Sequence, residues 1–439
     1  MSEKTFFAGI YTLGCKVNQY ESEAIAEELG KLGIKVIAPT RPCDVYIINT
    51  CTVTAESDRK ARQFIRRAIA RNPAAYVIVT GCLSQTAPEM LSKIDGVDVI
   101  LGNTDKLSAA HEALRLLQGG SKRAAADVRV SEIEGAPFES MRITAFERTR
   151  AYVKIEDGCE SRCTYCIIPS ARGSIRSKAP EDAIQEVTEL TQNGCREVVL
   201  TGIETASYGK DLGNVTLADL LEKIDQIQGI GRVRLGSLDP SLIRPSFVER
   251  IAKLSSLTPH FHLSLQSGSS RVLARMKRKY NAEQAMNAIR FLREAMPTVQ
   301  FTTDVIVGFP GETEEDFAET VRFVKEARFL MVHIFPYSKR NGTPAAEMKE
   351  QIPEEIKRRR LHELEEVTAQ IRREILEDVI RQRPLTEVLF ETYENGMAYG
   401  HTADFLEVAI PSSCPLHARF LQIRLLNTDG NICFGEAIQ

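Results

Sequence analysis

Three cysteines crowded into eight residues, Cys159-Glu160-Ser161-Arg162-Cys163-Thr164-Tyr165-Cys166 behind Gly158, constrain this chain more than any other feature. Three thiolates on one tight loop can each take an iron of a cubane cluster, while a fourth protein ligand is missing. One iron would then stay open to a small reactant. Structural zinc is the competing reading, but zinc sites usually close with four ligands in paired knuckles, and no second C-x2-C or H-x3-H follows.

At 439 residues the chain has room for about three domains, and 43% hydrophobic with 26% charged residues is ordinary for a soluble globular protein. Met1-Ser2-Glu3-Lys4 lacks the charged-then-apolar layout of a secretory leader, and no apolar run reaches spanning length, so a cytoplasmic protein without membrane contact is expected. Ten cysteines in a reducing compartment indicate metal or redox chemistry rather than disulfides. Cys43, Cys195, Cys414 and Cys433 have no such task and are expected to pack in the interior. A net charge of −3 argues against coating nucleic acid through bulk electrostatics, so any RNA contact must be local.

Three segments follow, assigned as 1–118, 145–374 and 376–439, with 119–144 read as a linker poor in periodicity. The first alternates short apolar runs with amphipathic stretches, the pattern of an open, parallel α/β sheet. Cys15, Cys51 and Cys82 each stand just past the end of a different predicted strand, and in such sheets sites form at the carboxyl ends. They therefore converge on one rim, where a second three-thiolate cluster competes with three half-buried cysteines. The second segment repeats strand and helix six times, with strands at 151–155, 197–201, 232–236, 260–265, 300–307 and 331–335. Six units fall short of a closed eight-fold barrel, so a partial (β/α)6 barrel is expected, its chemistry on the strand-end loops. Residues 353–383 read as a charged helix packing across that barrel, and the short strands beyond it as a small antiparallel β-barrel of the kind that binds oligonucleotides. Its nine acidic residues against four arginines from Glu377 onward make a poor phosphate clamp.

The Cys159–Cys166 spacing resembles the radical S-adenosylmethionine (SAM) family, in which SAM chelates the open iron and an electron from the cluster releases a 5′-deoxyadenosyl radical. Together with the N-terminal cysteine trio and a terminal barrel similar to a TRAM domain, the whole chain resembles the methylthiotransferases. Leu13-Gly14-Cys15-Lys16-Val17-Asn18, Asn49-Thr50-Cys51, Thr80-Gly81-Cys82, Arg172-Gly173, Gln266-Ser267-Gly268-Ser269 and Gly308-Phe309-Pro310-Gly311 resemble the branch acting on N6-threonylcarbamoyladenosine in tRNA. The resemblance implies two [4Fe–4S] clusters and SAM, with methylthio transfer to C2 of that base. An aromatic C2–H is neither acidic nor nucleophilic, so a radical reaches it where acid–base groups cannot. A cofactor must then carry the sulfur.

By that resemblance Cys159, Cys163 and Cys166 hold the catalytic cluster and Cys15, Cys51 and Cys82 the one that carries the methylthio sulfur. Tyr165, Gly202, Glu204, Asp304 and Gly308 are implied as SAM contacts, Glu204 within Gly-Ile-Glu where relatives have Gly-Gly-Glu. Arg59, Arg62 and Arg66 after Cys51, and Arg275, Lys277 and Arg278 after Gln266-Ser267-Gly268, are expected to meet tRNA phosphates. A flavodoxin- or ferredoxin-type donor would supply electrons; the sulfur donor has no signature. The alternatives are an isopentenyladenosine or ribosomal-protein methylthiotransferase and, from another class, a non-enzymatic iron–sulfur electron carrier or sensor, although carriers usually close their clusters with four cysteines.

Overall fold

The computed structural model describes residues 5–122, 125–146 and 149–438. Met1–Lys4, on which the leader reading rests, lie outside them. Strands β1 (Phe6–Thr12), β2 (Ile34–Ile37), β3 (Val45–Thr50), β4 (Tyr76–Gly81), β5 (Val99–Leu101) and β6 (Asp127–Arg129) form one sheet in the order β2-β1-β3-β4-β5-β6, parallel throughout. Parallel strands covered on both faces read as continuous apolar runs, and every residue of β3 is buried between two separate cores. The chain turns one way from β1 to β2 and the other way to β3. That reversal leaves a crevice at the strand ends, where Cys15 and Cys51 stand. The stretch read as a linker contributes β6 as an edge strand and sends Met141 and Ile143 into the main core.

Strands β7 (Arg150–Lys154), β10 (Glu197–Thr201), β11 (Arg232–Leu235), β12 (His260–Gln266), β13 (Gln300–Val307) and β14 (Met331–Pro336) make two parallel three-stranded sheets, with the short pair β8 (Glu156–Asp157) and β9 (Arg176–Ser177) beside them. A Leu238–Leu263 bridge joins the sheets into one six-stranded arc. Alternate residues such as Val198, Val233, Phe261 and Phe301 enter the core under the helices, which turns the polar set Arg150, Glu197, Arg234, His262, Asp304 and His333 to the concave side. The helix Glu314–Ala327 starts with a full capping box between Thr313 and Asp316.

The N-terminal unit fills the lateral gap of the arc. Its helix Lys16–Lys31 packs on β7, while Arg340 beyond β14 reaches back to Asp58 at 2.7 Å and Thr52 at 2.6 Å.

Helix Glu354–Gln382 crosses β14 and leads to a closed barrel of β15 (Leu385–Glu394), β16 (Met397–Thr402), β17 (Glu407–Pro411), β18 (Phe420–Thr428) and β19 (Cys433–Ala437). Its ladders are antiparallel except the β17–β19 pair, which is parallel. The acidity of this barrel has a structural use: Glu391 pairs with Arg150, Glu387 with Arg232, and Phe405 lies under Arg234 and stacks on His260. It thereby caps the arginine-lined bottom of the arc.

Candidate active site

The β8–β9 ladder ties off the neck of the cysteine loop. Gly158 takes φ +86, and a Cβ there would collide with the Ser174 carbonyl; the Cys159 amide donates to the Gly173 carbonyl at 3.0 Å. At the tip, Thr164 bonds to Met276 and Ala345 backbone and through its hydroxyl to the Arg275 carbonyl. The loop is thus fastened at neck and tip, with Cys159, Cys163 and Cys166 all facing one cavity of about 320 Å³. Burial pushes the Cys159 thiol up, helped by Glu204 beside it, and holds Cys166 up to about 11. Such thiols are poor ions on their own and need a metal to release their protons.

Glu204 accepts from the Cys159 thiol at 3.2 Å, the Ser161 hydroxyl at 3.0 Å and the Lys279 ammonium at 3.0 Å. A ligand that took the place of the Cys159 proton would break the first of these bonds and leave a Glu204 oxygen facing the cavity, open to a cationic group. Arg278 donates to the Cys163 sulfur at 3.2 Å and to Asp239 at 2.8 Å, and lies over the Tyr280 ring.

The other trio is assembled from strand ends. Cys15 follows β1 at the start of helix Lys16–Lys31, Cys51 follows β3, and Cys82 opens a short helix directly after β4. Gly14, at φ +100, would bring a Cβ within 2.6 Å of Cys51 Cβ and 2.8 Å of its sulfur. Only glycine lets the first strand end approach the second so closely. Cys15 has exposed surface yet many protein atoms around it, as at the mouth of a concave site. Cys51 is held up to about 11 by burial and by the neighbouring Cys82 and Cys15 thiols.

Arg172, fully buried, joins the two halves. It donates to Cys82 sulfur at 3.3 Å, Asn18 at 2.6 Å, Glu21 at 2.5 Å and Asp157 at 3.0 Å. Lys154, Lys106 and Arg176 join the same network, so four cations face the two carboxylates Glu21 and Asp157. Burial would raise Asp157, but Arg172 and Lys154 win and hold it down to about 2. A surplus of buried positive charge beside Cys82 suits thiolates and the anionic cage they would build.

Neither trio matches a mononuclear metal. Among the described residues the set with three ligand atoms all within 4.8 Å of one another is His262, Asp304 and His333, and no cysteine trio meets that spacing. Tetrahedral zinc with bonds of about 2.3 Å needs its sulfurs closer together. At least one sulfur pair in each trio therefore lies more than 4.8 Å apart, which leaves room for a larger cage.

Cys51 stands just behind the wall of this chamber: Val53, whose amide donates to the Cys51 sulfur at 3.5 Å, and Thr54 line the cavity that holds the loop cysteines. Tyr165, Glu204 and Asp304 line it too. Gln266 stands there in the left-handed region at φ 72, a strained backbone of the kind found at functional sites.

Several expected contacts lie elsewhere. Gly202 does not line the cavity; a Cβ on it would meet the carboxylate of buried Glu156 at 2.5 Å, so it serves packing. Gly308, at φ +71, makes room for the Lys357 chain and donates its amide to Glu312. Arg278 is not available to RNA phosphates, because its guanidinium is spent on Cys163 and Asp239. Arg275 is largely committed to Glu350 at 2.9 Å and the Pro310 carbonyl. Lys277, Arg59 and Arg66 are exposed, and Arg62 is half-buried against Met90. Cys43, Cys195 and Cys433 are buried, but Cys414 is exposed and packs nothing. Sequence reading took Arg172 only as part of a motif and gave it no role, and it passed over Arg340, whose partners lie on a remote segment, and over His262 and His333, which strand alternation alone places on the concave side.

Comparison with known proteins agrees with this geometry. Residues 153–324 match the radical SAM superfamily, and residues 8–102 match uncharacterized protein family UPF0004. The solved structure of TsrM from Kitasatospora setae, a radical S-adenosylmethionine methyltransferase with cobalamin and [4Fe-4S] cluster bound, covers 78% of this chain and 77% of its own at TM-score 0.56 and 16% identity, a likeness of fold. The arc and its cysteine loop are thus those of a radical SAM enzyme. Threonylcarbamoyladenosine tRNA methylthiotransferase MtaB of Bacillus subtilis (strain 168) is 39% identical over 95% of this chain and 93% of its own length. The tRNA-2-methylthio-N(6)-dimethylallyladenosine synthase of Carboxydothermus hydrogenoformans is 38% identical over 84% of both. This chain belongs to the radical SAM methylthiotransferase family.

Proposed function

We infer that the protein inserts a methylthio group at C2 of N6-threonylcarbamoyladenosine in tRNA, next to the anticodon. The observation that carries this reading is one chamber with the loop cysteines on one wall and the residues behind Cys51 on another. A base seated there lies between the source of the radical and the source of the sulfur. Cys159, Cys163 and Cys166 would hold one [4Fe–4S] cluster and Cys15, Cys51 and Cys82 the other. When bound, the first supplies the electron that cleaves SAM and the second presents sulfur for methylation and transfer.

The chain's own residues do the positioning. Glu204, oriented by Lys279 and Ser161, takes the SAM ammonium, and Tyr165 walls the cavity beside it. Arg278 donates to the Cys163 sulfur at 3.2 Å and so fixes its place on the loop. Arg59, Lys60, Arg66 and Arg67, on the helix that starts beside Cys51, supply exposed charge for the anticodon stem. A flavodoxin- or ferredoxin-type protein delivers electrons, and the enzyme works in the cytoplasm; among the described residues no helix is long and apolar enough to cross a membrane.

Nucleoside mass spectrometry on tRNA from cells with and without this chain tests the reading. Loss of 2-methylthio-N6-threonylcarbamoyladenosine on deletion is the expected result. Loss of the methylthio form of isopentenyladenosine instead would move the substrate to the other branch. An unchanged nucleoside profile, with no deoxyadenosine formed from SAM by the purified protein, would leave an electron carrier or sensor.

A further inference from the structure

Below the rim of the chamber, one step toward the amino ends of the strands, lies a polar set that the chemistry above does not use. Ser264, Ile306 and Phe335 line the upper level, and two residues earlier on the same strands come His262, Asp304 and His333. Asp304 pairs in register with His333 across β13 and β14. His262 Nε2 stands 3.3 Å from Asp304 Oδ2, and its Nδ1 is held by the Thr302 hydroxyl at 2.9 Å. Asp304 lines the cavity itself, and His262 and His333 stand beside it on the flanking strands, just beneath that lining, as a floor.

Two imidazoles and a carboxylate this close could hold a divalent ion. Lys16 argues otherwise. Entering from the N-terminal unit directly after Cys15, it lies near enough to Asp304 and His333 for their charges to act on one another. An ammonium in that place repels a metal cation, whereas donors with one acceptor suit an organic anion that also carries N–H groups.

Resting on the function inferred above, we propose that Lys16, His262, Asp304 and His333 read the tail on N6 of the target adenosine, and that the tail is an acylated, carboxylate-bearing one. A threonylcarbamoyl group offers urea N–H donors to Asp304, which His262 holds in place, and a carboxylate to Lys16 and His333. A dimethylallyl group offers neither and would leave the floor's polar groups dehydrated and unpaired. This separates two substrates that 39% and 38% identity to their respective enzymes do not. It also moves Asp304 from the SAM side of the chamber to the tRNA side.

The test uses the full-length protein, reconstituted anaerobically, and two anticodon stem-loop RNAs that differ only in carrying a threonylcarbamoyl or a dimethylallyl group on the target adenosine. Wild type should bind the first about 100-fold more tightly. Lys16→Met and His333→Leu, both at positions with exposed surface, should each cut that preference about tenfold by weakening the first RNA and not the second. His262→Gln, which keeps a polar side chain, should cut it less than His333→Leu. A preference unchanged in all three variants, or an equal loss for both RNAs, overturns the proposal. So does Asp304→Asn if it weakens SAM binding and leaves the RNA preference as it was. If wild type itself has no preference and methylthiolates neither RNA, the inferred function fails; if only the variants keep the wild-type preference, this assignment of the floor fails alone.

Discussion

The two cysteine trios are assembled by opposite routes. Cys159, Cys163 and Cys166 come from one loop tied at its neck by Gly158 and Gly173, so local chain geometry brings them together. Cys15, Cys51 and Cys82 come from three strand ends, and they meet only when the whole parallel sheet is in register and Gly14 leaves space beside Cys51. A loop site tolerates damage to distant structure. A sheet-built site inherits every defect of the sheet and of the Arg172 network beneath it.

The most severe perturbation of this contrast is loss of a ligand. Cys163→Ala should abolish deoxyadenosine formation from SAM and leave about four irons per chain, all on the strand-end trio. Cys82→Ala should leave a similar iron count yet retain SAM cleavage while losing methylthio insertion. Identical phenotypes, read by iron assay and by chromatography of deoxyadenosine, would dissolve the division of labour. Next comes Arg172→Met, which strands Glu21 and Asp157 in the interior without their main partner. Breaking a buried network this way costs about 3–5 kcal/mol, measurable by denaturant unfolding, and should lower iron at the strand-end trio more than at the loop. Gly14→Ala is subtler: positive φ and the Cys51 clash together should cost about 1–3 kcal/mol and selectively impair strand-end loading.

pH sharpens the comparison further. Burial holds both Cys51 and Cys166 up to about 11, so each would bind metal only by giving up its proton. Loading of both sites should therefore strengthen between about pH 7 and pH 9, followed by the charge-transfer absorbance of each single-trio variant. A loading that falls with rising pH would contradict thiol protonation as the competing reaction. The smallest expected effect is at the surface. Replacing Arg59, Arg66 and Arg67 with Gln should reduce the salt slope of tRNA binding by about 2 without altering SAM cleavage.

How much of this was legible beforehand follows the same division. The loop trio announces itself because its spacing is local. The strand-end trio was legible at one remove, since each cysteine follows an apolar run and parallel sheets gather such ends on one rim. Strand positions in the arc and in the terminal barrel were readable from alternation and turn residues. What stayed hidden depends on partners distant in sequence. Arg278 looked like one more surface cation in a basic run until folding set it against Cys163 and Asp239. Gly202 and Gly308 looked like close approaches to a ligand, but the space they leave is taken by Glu156 and Lys357. The acidic terminal barrel made no sense as a phosphate clamp until Arg150, Arg232 and Arg234 appeared beneath it. Residues 127–129 carry no periodicity, and they became a strand only because β5 offered an open edge.

Anaerobic reconstitution followed by iron and labile-sulfide assay with Mössbauer spectroscopy, with and without SAM, tests the central claim most directly. Two cages with three cysteines each predict about eight irons per chain, and SAM should alter one distinct iron of one cluster while the other responds to added sulfide. About four irons, bound zinc in place of a cluster, or spectra in which neither cluster responds to either reactant would contradict the account.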